Sequence, residues 1–183
     1  MMDLTNVFRV LHGLPLPFPD NSGHPPAETA TVKLLLQDHP ALQGSSLEAL
    51  MWVRIGDIEP AHALVQSATR GLDAYIHGVI HRIEGDFWNA KYWFRQVRAP
   101  ELLAKIQSHV EHGTAILGSK DSRTATWVGP IDFVDAWEKA VSNRSPDGNG
   151  PGNGPGQKND VQRLRQNALL EWEALWLTAS DRF

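Results

Sequence analysis

Two stretches, "ALMWVRIGDIEPAHALVQSA" (Ala49–Ala68) and "GVIHRIEGDFWNAKYWFRQV" (Gly78–Val97), decide how this chain folds. They align without a gap at an offset of 29 residues. Gly56-Asp57 falls on Gly85-Asp86, Ala49 on Gly78, Ala61 on Ala90, Val65 on Phe94 and Ala68 on Val97. Apolar residues recur at helical spacing on both sides of each Gly-Asp pair. Glycine suits the left-handed residue that ends a helix, and aspartate the N-cap that opens the next. The pattern is therefore two helical hairpins in tandem. Small residues at Ala49/Gly78 and Ala61/Ala90 let the helices of a hairpin approach closely, and Val65/Phe94 fill the space beyond. One hairpin cannot bury both of its faces, so tandem pairs stack.

Outward from this pair, helical spacing recurs in "ETATVKLLLQDHPAL" (28–42), "PELLAKIQSHVEHG" (100–113), "PIDFVDAWEKAVSN" (130–143) and "VQRLRQNALLEWEALWLTAS" (161–180). Pro100 and Pro130 belong in first turns, where no intrahelical N–H is lost. Gly113 is expected just past a helix end. Trp172 and Trp176 need cover, so the last helix should dock back on the body. Residues 14–28 carry five prolines and predict an extended loop. The stretch "SPDGNGPGNGPGQKND" (145–160) predicts a flexible linker. Only "TATWV" (124–128) has a short extended look. The expectation is a single all-α domain over 1–183 of about seven helices, with a hairpin pair over 43–100 and a C-terminal capping helix.

A length of 183 residues suits one domain with a sizeable core. The formal charge of -4 lacks the clustered basic surplus that nucleic-acid binding needs. The chain has no cysteine, which excludes disulfide and thiolate chemistry. The N-terminal residues lack the basic start and apolar run of a secretory signal, and no apolar segment is long enough for a bilayer. A cytoplasmic protein without membrane or nucleic-acid partners is expected.

The tandem pair resembles the tetratricopeptide repeat. That family's small residue in the first helix, turn glycine, second-helix alanine and following large apolar residue fall on Gly78, Gly85, Ala90 and Phe94. The spacing of 29 is shorter than the family's unit of about 34 residues. Ala74 and His77 stand where the family places an aromatic residue and a leucine. The wider stretch "HRIEGDFWNAKYWFR", followed by "WVGPIDFVDAWEKA", is similar to an uncharacterised protein family. Its signature falls on His81, Arg82, Glu84, Gly85, Asp86, Asn89, Ala90, Tyr92, Trp93 and Arg95, then Trp127, Pro130, Phe133, Val134 and Asp135. This second resemblance implies a fold and no activity.

Two function classes follow, with a third behind them. The first is a non-enzymatic binding module. Tetratricopeptide resemblance puts Tyr75, Val79 and Arg82 on a concave groove, with Tyr92 and Arg95 nearby. A planar guanidinium there suits an acidic peptide or small acidic ligand. Salt bridging of Arg82 or Arg95 to Glu84 or Asp86 is the plainer alternative. The second class is a metal-binding protein or metal-dependent enzyme. His77, His81 and Glu84, at i, i+4 and i+7, lie on one helical stripe and form an imidazole–imidazole–carboxylate set for a divalent transition metal. Its missing donors would come from Asp86, His109 or His112. The plainer alternative has both histidines packing between helices. The third class is a structural homodimer with the exposed side of the aromatic helix as its interface. Trp88, Tyr92 and Trp93 of that helix suit an aromatic cage or stacking platform, with core packing as the plainer alternative. No phosphate loop, nucleophile elbow or His-Glu-x-x-His motif is present.

Overall fold

The computed structural model describes residues 4–14, 26–116, 128–142 and 155–183. Among these residues the chain is all-α, with nine α-helices, one 3-10 turn and no strand. The helices are α1 (Leu4–His12), α2 (Pro26–Asp38), α3 (Ser46–Ile55), α4 (Ile58–Val65), α5 (Gly71–Glu84), α6 (Phe87–Gln96), α7 (Pro100–Ile116), α8 (Pro130–Ser142) and α9 (Pro155–Ser180). The 3-10 turn, Pro40–Leu42, joins α2 to α3.

The repeated sequence becomes repeated structure. Gly56 and Gly85 hold φ at 76° and 78°, so each ends its helix in the left-handed region. Helix α3 packs on α4, α5 on α6, and α4 on α5. A Cβ on Gly78 would stand 2.9 Å from the Phe94 ring, so the small residue is required for closure of the second hairpin. Asp86 caps α6: its carboxylate accepts from the Asn89 backbone N–H at 3.2 Å and from Asn89 Nδ2 at 2.7 Å. Ser45 caps α3 by accepting from Glu48 N, while Glu48 Oε2 accepts from Gly44 N at 2.6 Å. Asp57 departs from this scheme. It precedes α4 without a side-chain capping bond, and its carboxylate instead accepts from Thr29 of α2 at 3.3 Å.

Helix α9 docks back as its tryptophans require. It packs against α3, α7 and α8. Trp172 and Trp176 are buried, and Trp172 Nε1 donates to the Leu50 carbonyl at 3.0 Å. Gly113 corrects an expectation. Helix α7 runs through it to Ile116, and a Cβ there would stand 2.3 Å from Leu170. Its role is close approach of α9, not termination.

Three further boundaries differ from the sequence reading. Helix α1 exceeds the expected set of about seven, although Leu4, Val7, Phe8 and Leu11 have amphipathic spacing. Arg54 reaches its C-terminal end: the buried guanidinium donates from Nη2 to the carbonyls of His12, at 3.1 Å, and Leu14. Burial lowers the Arg54 pKa to about 10 against the opposing pull of Glu173. Pro26 opens α2 and Pro155 opens α9, which shortens the expected loop over 14–28 and the expected linker over 145–160. The remainder of both segments, and the 124–127 part of the extended piece, lie outside the described residues. No described helix is long and apolar enough to cross a membrane.

Candidate metal centre

The expected groove residues sit beneath α9. Tyr75, Val79 and Arg82 are 0%, 5% and 3% exposed. Arg82 meets Glu171 of α9 through two charge-assisted hydrogen bonds, Nη1 to Oε1 at 3.2 Å and Nη2 to Oε2. Tyr75 donates its hydroxyl to Glu171 Oε1 at 2.6 Å, and the Arg82 guanidinium lies 4.6 Å from the centre of the Phe133 ring. Burial, reinforced by the Glu171 charge, pushes the Tyr75 pKa well up. Arg82 thus recognises a carboxylate, but the carboxylate belongs to its own chain. Helix α9 lies over Tyr75, Val79 and Arg82 and leaves a cavity beside Val79 and Arg82, lined also by Arg54, Trp137, Glu171 and Trp172; neither Glu84 nor Asp86 partners Arg82. Tyr92 and Arg95 lie on the outer side of α6, both exposed.

The two histidines of α5 have a different setting. His77 and His81 are one turn apart, with ring centres 4.9 Å apart and nearly parallel planes. Consecutive hairpins place α4 against α5, and α4 supplies a third imidazole. His62 Nε2 lies 2.9 Å from His77 Nε2. One ligand nitrogen from each of His62, His77 and His81 falls within 4.8 Å of the other two. Trp93 of α6 closes one side, its ring stacked on His77 at 3.9 Å. His77 is 3% exposed, whereas His62 and His81 are half-buried. Burial, followed by the proximity of His62 and His81, lowers the His77 pKa to about 4, against a small opposing effect of the Val65 backbone. His77 is therefore neutral at neutral pH, with its lone pair free to act as a ligand or to accept a hydrogen bond from His62.

Glu84 is close to this group but outside it. Its Oε2 lies 3.0 Å from His81 Nδ1, a contact whose angle falls short of an in-line hydrogen bond. The other expected donors are elsewhere. Asp86 caps α6. His109 Nε2 meets Glu173 Oε2 at 3.0 Å, while His12 Nε2 meets Glu173 Oε1 at 2.7 Å. His112 Nδ1 bonds the Ser108 carbonyl at 2.6 Å. The residue that sequence reasoning missed is His62. The signal was present: stacked hairpins set the second helix of one against the first helix of the next, so α4 was the place to seek the third donor.

Tetrahedral nitrogen ligands at metal distances of about 2.0–2.1 Å stand roughly 3.3 Å from one another. The 2.9 Å pair would open by a few tenths of an ångström, and the widest separation within the 4.8 Å limit would close. Rotation of the half-buried His62 and His81 rings supplies movement on that scale. Compared with known protein families, curated proteins and solved structures, the chain finds no match in any of the three.

Proposed function

We propose that this protein binds a divalent transition metal through His62, His77 and His81, with Glu84 holding His81 from behind. The observation that carries the reading is the convergence of three imidazoles from two helices around a buried, neutral His77. Three packed imidazoles satisfy few of one another's hydrogen-bonding groups. A metal replaces the short nitrogen–nitrogen contact with coordination bonds. Three imidazole nitrogens suit zinc, copper or nickel, and exclude no first-row ion by softness. With Glu84 Oε2 3.0 Å from Nδ1, Nε2 of His81 is the nitrogen left for the metal, and a small reorientation of the carboxylate would give the carboxylate–histidine–metal relation that orients ligands in many sites.

The test is elemental analysis of untagged protein, equilibrated with zinc and then desalted. The expected result is stoichiometric zinc in the wild type and its loss in His77→Ala and His62→Ala. Substoichiometric metal that survives both substitutions would refute the reading. His109→Ala serves as the control that leaves zinc unchanged.

Helices α3–α6 are read, within the same proposal, as two tetratricopeptide-like hairpins. Supporting this are the matched left-handed glycines, the Gly78–Phe94 closure and the packing of α4 on α5. Binding of an external acidic peptide along Tyr75, Val79 and Arg82 would require α9 to leave, so it is not preferred. The exposed aromatic pair on α6 favours a second reading. Trp88 is 75% exposed and stacks on Tyr92 at 6.3 Å, as an interface between two copies would use. A doubled mass in solution that Trp88→Ala and Tyr92→Ala abolish would support it.

A further inference from the structure

We infer that a metal held by His62, His77 and His81 keeps one coordination position open to a water, a hydroxide or a small monodentate anion. This rests on the metal-binding reading above and concerns what such a site is for. Structural zinc sites close with four protein ligands, whereas sites that act on a substrate hold three and leave the fourth position to water.

Three features bear on the fourth position. First, the group that converges contains only three donors among the described residues. Glu84 approaches Nδ1 of His81 at 3.0 Å and is not one of the converging donors. Asp86 is committed to the first turn of α6. Second, the surroundings are asymmetric. His77 is buried against the indole of Trp93, while His62 and His81 are half-buried. A metal held by these residues would be shielded on the side of the buried His77 and Trp93, with solvent nearer to the half-buried His62 and His81. Third, all three ligands are neutral when they bind. A divalent ion keeps its full positive charge, which favours hydroxide or an anion in the remaining position. A zinc ion in a three-histidine setting lowers the pKa of its bound water to about 7. The site would then present a nucleophile, or a Lewis acid for a carbonyl or phosphoryl oxygen, near neutral pH.

The probe is cobalt(II) with azide. The full-length protein is loaded with cobalt(II), desalted, and its visible d–d spectrum recorded while azide is added. An open position predicts a saturable, one-to-one change in band position and intensity. Wild-type-like bands and azide response in Glu84→Gln would show that the carboxylate supports His81 without ligating. A cobalt spectrum indifferent to azide, together with d–d bands that move in Glu84→Gln, would overturn the inference: Glu84 would be the fourth ligand and the site structural, with the metal-binding reading intact. Azide indifference with bands unchanged in Glu84→Gln would also overturn it, because another group would fill the position. Failure of the wild type to retain cobalt or zinc at all would remove both the inference and the reading beneath it. Circular dichroism of each variant distinguishes a lost ligand from a lost fold.

Discussion

Replacing Glu171 with alanine should be among the most damaging single changes in this chain. The carboxylate is 1% exposed and serves two buried partners, the Arg82 guanidinium and the Tyr75 hydroxyl. Removing it strands a permanent positive charge among Phe133, Trp137 and the apolar face of α9. Breaking a buried ion pair from one side costs about 3–5 kcal/mol. An unsatisfied buried hydroxyl adds about 1–3 kcal/mol, though the two terms share a cavity and will not sum fully. Against a typical domain stability of about 5–15 kcal/mol, the expected loss of about 4 kcal/mol leaves a marginal protein. The double variant Arg82→Met/Glu171→Leu should lose much less, because apolar replacements of a buried pair are often neutral or stabilising by about 1–4 kcal/mol. The assay is urea unfolding followed by tryptophan fluorescence and far-ultraviolet circular dichroism, with equal slopes required before midpoints are compared. A cost under about 1 kcal/mol for Glu171→Ala would refute the pairing. So would a double variant no more stable than the single one.

Metal-free protein should lose stability as pH falls from about 6.5 to about 4, with little further loss from this group below that. The reason is that His77, held neutral at about 4 when folded, protonates first in the unfolded chain. The sign is that of a depressed pKa: the contribution is complete above the unfolded value and disappears as pH falls through the folded one. Unfolding midpoints of His77→Phe should lack that component of the slope. Gly113→Ala should destabilise by about 1–3 kcal/mol, since its Cβ enters Leu170, and Leu170→Ala in the same chain should recover part of the loss. Thermal melts of the two single variants and the double variant measure this coupling. Glu84→Gln should weaken zinc about 10–100-fold in competition with a chelating dye while leaving the metal-free melt nearly unchanged.

Local features of the fold were legible because they are written over a few adjacent residues. Gly-Asp at both hairpin turns, Pro100 and Pro130 in first turns, and the Asp86–Asn89 cap each act within one helical turn. What escaped the sequence were partnerships between distant segments. Asp57 has the chemistry of a cap, but Thr29 competes for its carboxylate. Gly113 reads as a stop signal until Leu170 is known to press on it. Arg82 was identified as a carboxylate-binding residue, yet its partner lies 89 residues away. The metal candidate was half visible: His77 and His81 declare themselves by spacing, while His62 joins them only through the stacking of one hairpin on the next.

The dependence of Arg82 and Tyr75 on Glu171 has a consequence for synthesis. Helix α5 leaves the ribosome long before α9, separated by 89 residues from Arg82 to Glu171. At about 5–20 residues per second that interval lasts roughly 5–20 s. During it the nascent chain carries an uncovered apolar face with a guanidinium at its centre. The buried pair therefore cannot close until the last helix has been made, and the time before closure is set by elongation speed.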